Sequence, residues 1–235
     1  MELERGDMVQ LGKIYDFAEE TLGGDASGHD FYHAQRVGDW AVKFFLADHD
    51  NMTEDEEAVL RAGGLLHDTI DDKVVDDVPG QIQKVEKLLS NSDFSTEEIA
   101  DVMDTIQHMS YSANLVHHYE LSELGQYVQD ADRIESLGAI AIARTFAYGG
   151  AKGRVLADPK VLPVTELKDK AAYRKNENPS VNHFYEKIFK LPAQLNTPAA
   201  RVEGEKRKEF MKTFLKTLND ETGLLENEAF DLENV

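Results

Sequence analysis

The sequence predicts an all-α fold, and three observations carry that reading. Apolar residues recur at helical spacing along most of the chain. No segment shows the period-two alternation of a half-buried strand. Glycines, prolines and capping residues punctuate the chain at helix-length intervals.

The elements follow in order. Val9, Leu11, Ile14, Ala18 and Leu22 form a first amphipathic helix, stopped by Gly23-Gly24. Phe31, Ala34, Val37, Ala41 and Phe44 make the stripe of a second. Thr53 or Glu54 opens a third, with Val59, Ala62, Leu65 and Leu66 inside it. Pro79 starts a fourth, because its fixed φ and missing N–H suit a first helical turn. Ser95 with Glu98 reads as a capping box ahead of Ile99, Val102, Met103 and Ile106. Leu121, Leu124 and Val128 mark a shorter segment. Ile134, Leu137, Ile140 and Ala141 lead through Phe146 to a stop at Gly149-Gly150. Positions 150–179 are polar and hold Pro159, Pro163 and Pro179, which reads as a long connection, of a kind that often serves as a lid. Two helices are expected at 180–191 and 198–222, and the acidic end from Asn219 is expected to fray. The expectation is a single domain over 1–235, with a helical core about 28–148 and the loop and C-terminal helices about 149–222.

Composition narrows the chemistry. The 235 residues suffice for a sizeable core, and no apolar run approaches the roughly 20 residues that span a bilayer. The N-terminal Met1-Glu2-Leu3-Glu4-Arg5 lacks the layout of a secretory signal. Together with the absence of cysteine, this gives a cytoplasmic expectation and no membrane partner. Any metal must then be held by histidines and carboxylates. A net charge of −20 repels nucleic-acid polymers but still allows a few local cations to hold a small phosphorylated ligand.

The histidines differ in their surroundings along the chain. His49-Asp50 runs into Asn51 and polar residues and reads as a solvated helix end. His67-Asp68 closes the apolar run Ala62-Gly63-Gly64-Leu65-Leu66, so both polar side chains sit at a core edge, where burial without partners costs several kcal/mol. A metal is one shared partner for them, and hydrogen bonding within the fold is the other reading. On the second helix His29, His33 and Arg36 fall at spacings that share a face, although a histidine at a helix start also serves as a simple cap partner. Asp130 and Asp132 lie between Val128 and Ile134, either as ligands or as capping residues.

In sequence order these pieces resemble the HD-domain phosphohydrolase superfamily. Gly28-His29-Asp30-Phe31-Tyr32-His33 is similar to the family's first-histidine helix. Leu65-Leu66-His67-Asp68-Thr69-Ile70-Asp71-Asp72-Lys73 resembles its His-Asp segment. Asp130-Ala131-Asp132-Arg133-Ile134-Glu135 resembles its last-ligand helix. Ala141-Ile142-Ala143-Arg144-Thr145-Phe146 and Asn182-His183-Phe184-Tyr185-Glu186-Lys187 are similar to a bacterial subgroup of small stand-alone members to which nucleotide pyrophosphohydrolase activity has been assigned. The resemblance implies an HD-type helical bundle with a divalent metal between helices, held by His33, His67, Asp68 and Asp132. Mn²⁺ is the first choice, with Mg²⁺, Ni²⁺ and Fe²⁺ as alternatives.

The segment Thr69-Ile70-Asp71-Asp72 also resembles the acidic stretch of alarmone hydrolases, which implies Asp71 or Asp72 as the group that activates water; Lys73 is a separate candidate to neutralise phosphate charge. Arg36, His29, Arg133, Arg144, His183 and Lys187 are further candidates for substrate binding. His108 is another, as a substrate contact, a second-metal ligand or a structural residue. The expected activity is release of a nucleoside monophosphate and pyrophosphate from a triphosphate. A phosphomonoesterase, a phosphodiesterase and a non-catalytic metal-containing sensor are the alternatives, and a homodimer is compatible with the sequence.

Overall fold

The computed structural model describes residues 11–24, 30–72, 74–111, 114, 119–164, 178–233 and 235. His29, Lys73 and positions 165–177 of the expected lid lie outside the described residues. Among the described residues there are nine α-helices, short 3₁₀ turns and no strand. The all-α expectation holds. No described helix is long and apolar enough to cross a membrane. The chain divides into two compact units, 1–132 and 133–235.

The first unit contains α1 (Leu11–Leu22), α2 (Phe31–Asp48), α3 (Glu54–Leu66), α4 (Val78–Ser90), α5 (Thr96–His108) and most of α6 (Glu123–Glu135). Local chemistry sets the helix starts. Asp30 caps α2 by accepting the His33 N–H at 2.7 Å. Thr53 and Glu56 close a capping box on α3, and Ser95 and Glu98 close one on α5. Asp77 caps α4, whose first turn carries Pro79. The core joins Ile14 and Ala18 of α1 to Ala62, Leu65 and Leu66 of α3, Val85 and Leu89 of α4, and Val102 and Ile106 of α5. α3 is the hub, packing on α1, α2 and α5.

The second unit contains α7 (Gly138–Ala151), α8 (Asn182–Glu186) and α9 (Pro198–Thr222), with α9 packed on α7. Ile134, Leu137, Phe184, Leu191, Met211 and Leu215 are fully buried in it.

Four boundaries differ from the sequence expectation. The helix expected from Ile134 through Ala141 to Phe146 is broken, because α6 ends at Glu135 and Gly138 turns the chain with φ +78° before the next helix starts. The 180–191 segment is helical only over Asn182–Glu186, then passes through 3₁₀ turns at Ile188–Lys190 and Pro192–Gln194. Lys187, at φ −136°, leaves helical geometry there, and Pro192 cannot donate to a continuing helix. The end of the chain is also packed. After Gly223 closes α9 in the left-handed conformation, Leu225 and Phe230 are buried and the Tyr185 hydroxyl donates to the Phe230 carbonyl at 2.9 Å. Finally, His49 is a helix end but a packed one. Its ring stacks on Phe45 at 4.2 Å and its Nε2 lies 3.2 Å from the Tyr127 hydroxyl.

Candidate metal centre

The first unit brings His33, His67, Asp68 and Asp132 together from three helices. His33 occupies the first turn of α2, fixed by the Asp30 cap. His67 follows the last residue of α3 and keeps helical backbone angles, with its N–H donating to the Gly63 carbonyl at 3.1 Å. Asp68 comes next, and buried Thr69 pins the turn by donating its hydroxyl to the Leu66 carbonyl at 2.7 Å. Asp132 lies in the last turn of α6.

Two glycines allow this convergence. A Cβ on Gly64 would lie 2.5 Å from the Gly38 Cα, so α3 meets α2 backbone to backbone. A Cβ on Gly63 would press on the Val128 side chain at 3.0 Å. Val128 precedes Asp132 by one turn of α6. Adjacent glycines therefore draw α3 against both helices that carry the other donors.

The donor atoms face one another. His67 Nε2 stands 3.1 Å from Asp68 Oδ2 and 3.8 Å from Asp132 Oδ1. His33 Nε2 stands 3.4 Å from Asp132 Oδ1 and 3.6 Å from Asp68 Oδ2. His33, His67 and Asp68 are all buried, each with a ligand atom within 4.8 Å of the others, while the Asp132 side chain is 27% exposed. Neighbouring donors around a cation with bonds of about 2.1 Å stand roughly 3 Å apart, so these separations suit one shared ion.

The tautomer of His67 supports the same fit. Its Nδ1 lies 2.7 Å from the Gly64 carbonyl, which can only accept, so the neutral ring carries its proton on Nδ1 and turns the Nε2 lone pair toward the carboxylates. That Nε2 is buried and makes no hydrogen bond. A lone pair facing a carboxylate in the interior is relieved by positive charge, supplied by a proton on Nε2 or by a metal ion between the two. The electrostatics agree. Burial lowers the affinity of His67 for positive charge, but Asp68 and Asp132 override it and raise its pKa to about 9. Burial would raise Asp132, yet the contact with His33 and the charge on His67 hold it well below the usual carboxylate range. The cluster therefore draws positive charge inward.

The other expected site residues distribute as follows. Asp71 is half-buried in a tight turn, its N–H donating to the Asp68 carbonyl at 3.1 Å and its carbonyl accepting from Val74 at 2.9 Å. Asp72 is exposed. Arg36 is half-buried on α2, three residues after His33. His29, expected on the same face as His33, lies outside the described residues. His108 ends α5, its Nδ1 2.8 Å from Asp104 Oδ1 and its ring stacked on Tyr119 at 4.2 Å. In the second unit Arg133 is buried and donates to the Gln194 carbonyl, Arg144 is half-buried on α7, His183 lies in the first turn of α8 and Lys187 follows its last residue.

Sequence reasoning missed the positioning role of Gly63, Gly64 and Gly38. The Gly63-Gly64 pair inside an apolar helix was the available signal.

Comparison with known proteins agrees with this geometry. The HD domain family matches residues 30–137, which contain all four clustered donors. The Bacillus subtilis (strain 168) protein YpgQ, described as uncharacterized, is 30% identical over 216 residues, covering 90% of this chain and 93% of that one. The crystal structure of YpgQ in complex with ADP is 29% identical, with a TM-score of 0.70 over 92% of this chain and 96% of that chain. A solved HD-superfamily hydrolase from Bacillus thuringiensis is 37% identical, with a TM-score of 0.68 over 90% and 95% of the two chains. The chain belongs to the HD-domain superfamily of metal-dependent hydrolases.

Proposed function

We propose that this hydrolase cleaves the α–β anhydride of a nucleoside triphosphate, releasing the monophosphate and pyrophosphate, with His33, His67, Asp68 and Asp132 holding one divalent ion. The observation that carries the ligand class is the solved relative YpgQ, bound to ADP and similar over nearly the whole chain. Mn²⁺ is the first choice, because two imidazoles and two carboxylates suit Mn²⁺ and its neighbours Fe²⁺ and Ni²⁺, with Mg²⁺ as a harder alternative. A divalent ion at such a site polarises a phosphoryl oxygen and makes water more acidic.

The chain's own groups complete the scheme. Asp71 sits three residues beyond Asp68 in a hydrogen-bonded turn, which supports it over exposed Asp72 as the carboxylate that orients water and takes its proton. Arg36, on the helix of His33, is proposed to meet negative charge on the phosphates. Lys73 is proposed for the same task from its place in the His-Asp segment. His108, His29, Arg133, Arg144, His183 and Lys187 remain proposed phosphate or nucleotide contacts. In this reading the protein acts in the cytoplasm on a small molecule.

Hydrolysis in ¹⁸O-water with mass spectrometry of the products tests the bond that breaks. Label in monophosphate or pyrophosphate is expected. Release of orthophosphate alone would overturn the pyrophosphohydrolase reading in favour of a phosphomonoesterase.

A further inference from the structure

Beyond the clustered donors, α2 and α6 meet at a second point, through side chains that the proposed chemistry does not use. Asp48 is the last residue of α2, and His49 caps it, its N–H donating to the Phe45 carbonyl at 2.9 Å. Tyr127 of α6 is buried, and its hydroxyl donates to Asp48 Oδ2 at 3.1 Å. That hydroxyl has one proton to give, so its oxygen accepts from His49 Nε2, 3.2 Å away. The same Nε2 lies 3.4 Å from Oε1 of Glu123, in the first turn of α6. Phe45 packs on both rings, stacked on His49 at 4.2 Å and edge-on to Tyr127 at 5.2 Å. Burial first, then the bond to Asp48, push the Tyr127 phenol well above its ordinary range, so it keeps the proton that it donates.

The two meeting points sit at opposite ends of α2. His33 faces Asp132 from the first turn, with Nε2 3.4 Å from Oδ1, and Asp48 holds Tyr127 from the last. Tyr127 and Asp132 are five residues apart on α6, about 7.5 Å along its axis. One rigid helix therefore carries both. Between them Val128 meets α3 at Gly63. That apolar contact is non-directional and sets the depth of α6 but not its rotation, whereas hydrogen bonds at Tyr127 are directional. Asp132 depends most on how its helix is held, because its side chain is 27% exposed while His33, His67 and Asp68 are buried.

We propose that Tyr127 is a positioning residue for the metal centre: by bonding Asp48 and His49 it fixes α6 against α2 and so sets Asp132 opposite His33. This role rests on the reading of His33 and Asp132 as metal donors. Without the hydroxyl, apolar packing alone holds α6 at this level. Rotation of the helix then draws Asp132 away from His33 and leaves the ion with fewer well-placed donors.

The test is a Mn²⁺ titration of the full-length, chelator-stripped protein. Free ion is read from its electron paramagnetic resonance signal, and folding from circular dichroism melts. Tyr127→Phe keeps the ring and removes only the hydroxyl. It should bind Mn²⁺ about tenfold more weakly, the scale on which groups that orient ligands act. Asp48→Ala should do the same, and the double variant no more, because both changes remove one bond. Asp48→Asn retains an acceptor oxygen and should keep wild-type affinity.

Val85→Ala separates this role from general stability. Val85 is buried on α4, which packs on α1 and α5, neither of which carries one of the four donors. The variant should melt lower because it opens a cavity, yet bind Mn²⁺ as wild type does. Wild-type affinity in Tyr127→Phe, or the same loss in Val85→Ala, overturns the proposal. Should Tyr127→Phe fail to fold, the contrast between Asp48→Ala and Asp48→Asn decides, and equal affinity in those two overturns it. Absence of Mn²⁺ binding by wild type would overturn the metal centre and this role with it, so the two failures are told apart.

Discussion

Gly64 of α3 rests on Gly38 of α2 so closely that a Cβ on Gly64 would stand 3.0 Å from the Val37 carbonyl carbon as well as 2.5 Å from the Gly38 Cα. Backbone cannot yield as a side chain can. Gly64→Ala should therefore spread α2 from α3, at a cost of about 3 kcal/mol or more, and separate His33 from His67. Gly63→Ala meets only the Val128 side chain and should cost about 1 kcal/mol. Thermal melts and a divalent-metal titration check both. A Gly64→Ala protein with wild-type stability and metal affinity would contradict this account of the site.

Asp71→Asn should slow turnover on the order of 10²-fold or more while the metal stays bound, because the change removes a proton acceptor rather than a ligand. Asp72→Asn, on an exposed side chain, should have the smaller effect. Initial rates alongside metal content separate the two roles. Equal, unslowed rates in both variants would remove this turn from the mechanism.

These predictions show which parts of the molecule were legible in the sequence. Thr53, Ser95 and Pro79 announce helix starts because capping and proline chemistry act within a few residues. His67-Asp68 announces itself because two polar side chains end an apolar run. The approach of Gly64 to Gly38 was not legible, since it joins positions 26 apart through packing alone. The break at Gly138 was hidden by apolar residues that keep helical spacing across it, from Ile134 to Ala141. The packed tail was misread because its acidic residues mask Leu225 and Phe230, which are buried by tertiary contacts rather than by local pattern.

Arg207 bears on that break. Its Nη1 donates to the Ile134 carbonyl at 2.7 Å, its Nε donates to Glu203 at 2.9 Å, and a Cβ on Gly138 would stand 3.2 Å from its side chain. Arg207→Met should remove a charged donor from the Ile134 carbonyl, which keeps the Leu137 N–H at 3.0 Å, and leave Glu203 without this partner, at a cost of about 1–3 kcal/mol. Gly138→Ala should cost about 1–2 kcal/mol from positive φ alone. Denaturant unfolding of each variant measures these losses, and wild-type midpoints would contradict the assignment.

The pH dependence of stability follows from His183. Its pKa in the folded protein, about 3, lies below the ordinary 6.5, so the unfolded chain binds the extra proton between these values. The contribution is present in full above pH 6.5 and is lost as the pH falls toward 3. Wild-type melting temperature should therefore drop more steeply from pH 6.5 to 4 than that of His183→Gln, which cannot titrate. Parallel slopes would show that His183 is not held neutral.

The most direct test of the central claim is metal content per chain after purification and reloading with Mn²⁺, for wild type, His67→Ala and Asp68→Ala. Wild type should hold about one divalent ion, and both variants should lose it together with activity, because each removes a donor that orients the others. Full occupancy in both variants would contradict the assignment of His33, His67, Asp68 and Asp132 as the metal centre.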